Sequence, residues 1–165
     1  MRSINPKHIQ DLLSLINKGP FFQLLNIKIC ELKCGYSKIM VKLEEKHLNP
    51  FGTIHGGVYA SIIDTAAYWA AYCEVDEHAG YTSIDVSIHN LSMVNRGNIV
   101  VEGRSLKVGR SLCLCEAQAI DENGRLLAYG TSKLMMLKGK QSINHVIAAM
   151  GGDVLPPKFI DDTGN

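Results

Sequence analysis

Between residues 58 and 73 the chain reads VYASIIDTAAYWAAYC, and Asp64 is the only formally charged side chain in that run. Alanines at 60, 66, 67, 70 and 71 make a helix cheap to form here and leave thin side chains to pack against. A helix over about 55–74 would be apolar on nearly every face. Such a helix is buried on most sides, so the rest of the chain must supply a wrapping for it. That requirement limits the fold more than any other feature of the sequence.

The material for the wrapping is extended chain. Residues 26–34 and 37–43 alternate around Gly35-Tyr36, with Ile39, Val41 and Leu43 facing one way and Lys38, Met40 and Lys42 the other. Residues 82–90 alternate Ile84, Val86 and Ile88 with Ser83, Asp85, Ser87 and His89. Residues 98–108, 111–121 and 125–137 follow, divided by Gly109 and by Asp121-Glu122-Asn123-Gly124, a hairpin signal with Asn-Gly at its heart. Consecutive strands with short links predict an antiparallel sheet rather than a βαβ array, so the fold class is α+β. Ahead of the strands, Ile9, Leu12, Leu13 and Ile16 keep helical spacing after Pro6, and Gly19-Pro20 ends that helix. The organisation predicted is one domain over 26–138, an N-terminal helical extension over 1–25 and an irregular tail over 139–165. Within the tail a short helix is expected near 143–150, with packing through Leu155 and Phe159.

Composition removes several function classes. The formal net charge is +1, and no basic run marks an arm for nucleic acid. The apolar run is too short, and too acidic at its middle, to span a bilayer. The first residues lack the pattern of a secretory signal, so the expected location is cytoplasmic. Five cysteines and six histidines show no zinc-ligand spacing, and no metal site is expected. His47 and His89 read as surface or strand-face residues. A G-x-S-x-G elbow and the Walker and Rossmann glycine patterns are all missing.

The chemistry concentrates on the central helix. An unpaired carboxylate in an apolar run costs several kcal/mol or shifts its pKa, so Asp64 is the first functional candidate. A carboxylate that caps a neighbouring loop, or pairs across a dimer seam, is the structural alternative. His55-Gly56-Gly57 stands at the helix start, where free N–H groups and partial positive charge favour an oxyanion and bare glycines admit a ligand to the backbone. Tight packing of the helix end would use the same glycines. Gly57 and Asp64 share a helix face but lie roughly 10 Å apart along the axis, too far to touch one carbonyl carbon. An antiparallel second copy would bring Asp64 of one chain beside Gly56-Gly57 of the other. The spacing therefore points to two symmetric sites in a dimer.

The run Asn49-Pro50-Phe51-Gly52-Thr53-Ile54-His55-Gly56-Gly57, followed by Asp64, resembles the hotdog-fold thioesterases of the phenylacetate-degradation type, the PaaI-like or HGG group. The resemblance covers about residues 27–137. It implies a hotdog fold, an antiparallel sheet wrapped around a long central helix. It also implies hydrolysis of an acyl-CoA, with coenzyme A as part of the substrate and no separate cofactor, by a homodimer expected to pair into a homotetramer. By the resemblance, Asp64 activates or orients water, His55 and Gly56 open the helix, and the Gly56 N–H polarises the thioester carbonyl. Asn49 helps hold the carbonyl or the water, and Ser83 positions the nucleophile. Gly57 adjoins the substrate, and Lys107, Gly109, Arg110 and Ser111 form a turn that contacts coenzyme A. Lys107 and Arg110 equally fit solvated charges of a hairpin. Residues 89–97 depart from the pattern, with Met93 where relatives often carry proline.

Three other readings compete with thioester hydrolysis. A non-catalytic acyl-CoA sensor could use the same scaffold, although residues 1–25 offer no basic DNA-binding segment. A dehydratase of this fold would need a histidine paired with an acid, and the chain offers Asn49 with Asp64. An inactive structural dimer would have no use for Asn49, His55, Gly56 and Asp64 together.

Overall fold

A computed structural model describes residues 2–161; residues 162–165 of the tail lie outside the described residues. The elements in chain order are β1 (Arg2–Ile4), α1 (Pro6–Ile16), α2 (Pro20–Leu24), β2 (Ile27–Lys33), β3 (Tyr36–Lys42) and α3 (Gly56–Ala70). They continue with β4 (Gly80–Asn90), β5 (Asn98–Val108), β6 (Leu112–Asp121), β7 (Leu126–Leu137), α4 (Ile143–Met150) and β8 (Phe159–Asp161). Six strands form one antiparallel sheet in the order β2-β3-β5-β6-β7-β4. The sheet curls around α3, which is the hotdog architecture. Among the described residues no helix is long and apolar enough to cross a membrane.

Packing of α3 onto the sheet explains the sequence of both. Ile62, Ile63, Ala66, Ala67 and Ala70 are fully buried. Each isoleucine contributes about 1.5–3 kcal/mol by leaving water. The close approach needs glycine on the strands beneath. A Cβ at Gly103 of β5 would lie 2.2 Å from the Ala66 carbonyl oxygen, and one at Gly130 of β7 would lie 2.8 Å from Ile63 Cγ2. Ser37 of β3 donates to the same Ala66 oxygen at 2.6 Å, tying the helix to the sheet by a buried hydroxyl.

One stripe of α3 stays uncovered. Gly57, Ala60, Ser61, Asp64, Thr65 and Tyr68 keep some exposure, while the positions between them are buried. The sheet wraps the helix on the remaining sides only. Beside this stripe runs β4, an edge strand of the sheet, with Ile84 52% and Val86 36% exposed.

The phase of β4 differs from the simple alternation read in the sequence. Ser83 pairs with Leu134, but Asp85 pairs with Lys133, so Ile84 is an extra residue with no partner. Residues directly opposite in an antiparallel pair point to the same face. Leu134 and Ser132 are fully buried, so Ser83 and Val86 both turn toward α3. A bulge adds a residue and resets the alternation. Ser83 thereby leaves the outward face that Asp85 and Ser87 occupy.

The two termini meet. β1 pairs with β8 in register from Arg2↔Asp161 to Ile4↔Phe159, so the tail carries a strand in addition to the short helix expected at 143–150. Beneath this pair, Lys158 is 1% exposed; its Nζ donates to the Val75 carbonyl at 2.9 Å and lies 4.0 Å from the Tyr72 ring centre. Burial pulls its ammonium down to about 8. His8 of α1 bridges the Pro156 carbonyl and the Tyr72 hydroxyl, each at 2.6 Å.

Candidate active site

The loop before α3 is held by its own polar groups. Asn49 Oδ1 accepts from the amides of Phe51 at 2.9 Å and Thr53 at 3.3 Å, and its Nδ2 donates to Thr53 Oγ1 at 3.1 Å. Gly52 takes φ 76°, where its amide donates to the Asn49 carbonyl at 2.9 Å. The His55 amide then donates to the His47 carbonyl at 2.9 Å. His47 is buried, not on the surface, because its ring finishes the turn: Nδ1 accepts from the Glu44 amide at 2.9 Å and Nε2 meets the Leu25 carbonyl at 3.0 Å.

His55 is the N-cap of α3. Its Nδ1 accepts from the Gly57 amide at 2.8 Å, so Nε2 carries the proton of the neutral ring. The cap therefore uses the Gly57 N–H, while the Gly56 N–H makes no hydrogen bond among the described residues. Space beside Gly56 is taken by Asn90 at the end of β4; a Cβ at 56 would lie 2.9 Å from Asn90 Nδ2.

Two turns along α3, Asp64 sits half-buried with two hydroxyls on one oxygen. Ser83 donates to Asp64 Oδ1 at 2.7 Å and Ser132 donates to the same atom at 3.1 Å. Oδ2 accepts nothing from the described residues. A cavity of about 710 Å³ opens on this carboxylate, with Gly56, Gly57, Asn90, Val86, Ile88 and Phe21 of α2 among its walls. Tyr68, one turn further on, is pushed up to about 12 by burial and by the nearby Asp64 charge. Its hydroxyl donates to the Tyr81 carbonyl at 3.1 Å and stays protonated at ordinary pH.

The remaining candidates lie elsewhere in the single chain. Asn49 lines an adjoining cavity of about 360 Å³ that shares Gly56 and Asn90 with the first. Gly109, Arg110 and Ser111 line a third, of about 670 Å³, with Glu74, Asp76 and Lys138 near the far end of α3. That end is roughly 9 Å from Asp64 along the helix. Lys107 lies on β5, just past its bulge at Leu106. Asp64 is thus hydrogen-bonded to Ser83 and shares one cavity wall with Gly56 and Gly57, Asn49 lines the adjoining cavity with Gly56, and the 109–111 turn lies on a separate one. Among the described residues no group of three or more His, Cys, Asp or Glu is gathered to hold a metal ion.

Three residues of this site went unread in the sequence: Ser132, Asn90 and Phe21. A signal for Ser132 existed in β7, where it takes the inward phase between Gly130 and Leu134. Asn90 and Phe21 carried none, since one ends an alternating strand and the other follows a helix-stopping Gly-Pro.

Comparison with known proteins finds the same fold and thioesterase relatives. A family model described as Thioesterase superfamily matches residues 51–128. Acyl-coenzyme A thioesterase 13 of Mus musculus is 27% identical over 128 residues, covering 75% of this chain and 91% of the mouse protein. The 1,4-dihydroxy-2-naphthoyl-CoA hydrolase of Listeria monocytogenes is 21% identical over 119 residues, covering 72% of this chain and 97% of that one. A crystal structure of a thioesterase from Haemophilus influenzae superposes with a TM-score of 0.73 at 18% identity, over 79% of this chain and 91% of the other.

Proposed function

We propose that this chain is a hotdog-fold thioesterase that hydrolyses acyl-CoA with Asp64 as its base. The observation that carries the proposal is the Asp64 carboxylate. Oδ1 is held by two serine hydroxyls, and Oδ2 is left to a cavity large enough for an acyl group. A water beside Oδ2 gives up a proton to the carboxylate as its oxygen attacks the thioester carbonyl carbon. The carbonyl oxygen gains the negative charge and is met by the Gly56 N–H and the positive end of α3. When the tetrahedral intermediate collapses, the C–S bond breaks with its electron pair on sulfur. Asp64 returns the proton to the thiolate, and free acid and coenzyme A leave.

Within one chain, the Gly56-to-Asp64 spacing keeps this donor and this base roughly 12 Å apart along α3. A homodimer would resolve that separation. Support comes from the uncovered stripe of α3 and from β4, whose eleven residues end the sheet with unpaired backbone groups and exposed apolar side chains. A second copy related by a two-fold axis would set its Gly56 and Asn49 against Asp64 of the first, and further pairing of dimers would give a tetramer. The turn with Gly109, Arg110 and Ser111, together with Lys107, would then receive the phosphates of coenzyme A. No cofactor beyond the substrate's own coenzyme A enters this scheme, and the location proposed for the enzyme is the cytoplasm.

Thiol release from acetyl-, isobutyryl-, phenylacetyl- and lauroyl-CoA tests the proposal. Steady turnover on at least one is expected, from a species that sediments as a dimer or larger. Tight binding of all four without turnover would instead make the chain a sensor of acyl-CoA. A fully active monomer would contradict the shared site.

A further inference from the structure

We infer that Ser132 is a positioning residue for Asp64: its hydroxyl fixes Oδ1 from beneath the helix so that Oδ2 is the oxygen presented to water. The inference rests on the reading of Asp64 as base.

Ser132 is fully buried on β7, and its neighbours on the inward face are Gly130 and Leu134. A buried hydroxyl costs free energy unless it is hydrogen-bonded, and the partner here is Asp64 Oδ1 at 3.1 Å. The buried Ser37 makes a useful contrast. Its hydroxyl goes to the Ala66 backbone carbonyl, a tie between helix and sheet that needs no side-chain chemistry. Ser132 instead spends its hydrogen on the one carboxylate of α3.

The two donors to Asp64 come from different strands. Ser83 approaches from β4 and Ser132 from β7, where Ser132 lies opposite Val86. A single donor would leave the carboxylate free to turn about its Cβ–Cγ bond and exchange its oxygens. Two donors converging on Oδ1 hold the carboxylate against that rotation. Ser83 lies on an edge strand beside a bulge, whereas Ser132 is on an interior strand, and so supplies the more rigid of the two anchors.

The experiment compares Ser132→Ala, Ser132→Thr and Ser37→Ala with the wild type on whichever of the four acyl-CoAs it hydrolyses fastest. Ser132→Ala is expected to lower kcat by on the order of 10-fold, the effect of one lost hydrogen bond to a charged group, with KM within about twofold. Ser132→Thr keeps the hydroxyl and should restore kcat to within about twofold of the wild type, whereas Ser37→Ala should lower thermal stability and leave kcat unchanged. Ser132→Ala with wild-type kcat, alongside an inactive Asp64→Asn, would reduce Ser132 to filling space. Asp64→Asn at full turnover would overturn the base reading itself and this inference with it.

Discussion

The Ser83 hydroxyl reaches Asp64 Oδ1 at 2.7 Å because β4 carries an unpaired residue, Ile84, immediately after it. Without that residue Ser83 would share the outward face with Asp85 and Ser87, and the carboxylate would lose its shortest hydrogen bond. The bulge lets an edge strand turn Val86 and Ile88 toward the cavity and still aim a serine at the acid one step earlier.

Ser83→Ala therefore tests the value of that bond. A hydrogen bond to a charged group is worth about 1.5–3 kcal/mol, so turnover should fall about 10- to 100-fold with little change in KM. Steady-state kinetics by thiol release measures this directly. An unchanged kcat would show that Ser132 alone suffices to hold the carboxylate.

His55 has a role that can be separated from the chemistry. As N-cap it satisfies the Gly57 amide, and removing a cap costs about 0.5–2 kcal/mol. His55→Ala should lower stability by about that amount in denaturant unfolding, and His55→Asn, with another capping side chain, should recover most of the loss. Equal stability of all three proteins would show that the start of α3 is held by the 49–53 loop alone.

The pH dependence of stability follows from two buried rings. Burial lowers the pKa of His8 below its ordinary 6.5, and it lowers His47 in the same direction. The neutral rings suit their partners: His8 accepts from the Tyr72 hydroxyl and donates to the Pro156 carbonyl. As pH falls through 6.5, the unfolded chain binds protons that the folded chain refuses, so stability drops. The loss continues until the folded-state rings are themselves protonated. Thermal melts between about pH 5 and about pH 7.5 should show this slope, and His8→Gln should flatten it. A slope identical in both proteins would assign it to other groups.

The sequence was most informative where one residue type answers one local need. The all-round apolar run announced a wrapped helix, the Asn-Gly at 123–124 a hairpin, and Asp64 an acid with no business in a plain core. What stayed hidden depends on pairing between distant strands. The bulge at Ile84 exists only relative to Lys133 and Leu134, and residues 82–90 alternate without a break when read alone. Ser132 acquires its meaning from a helix about seventy residues earlier. His47 looked like a surface histidine because its partners, the Leu25 carbonyl and the Glu44 amide, are backbone groups. The β1–β8 pair joins the two ends of the chain, beyond the reach of any local pattern.

The central claim is that Asp64 is the base, and Asp64→Asn measures it. The asparagine keeps the shape and an oxygen for Ser83 and Ser132, but it has no charge or basicity with which to take a proton from water. With the acyl-CoA that the wild type turns over fastest, kcat should fall on the order of 10²–10⁴-fold while binding changes much less. The melting temperature should hold or rise, since a half-buried charge has been removed. Undiminished turnover by a folded Asp64→Asn would contradict the account and make the carboxylate a structural group.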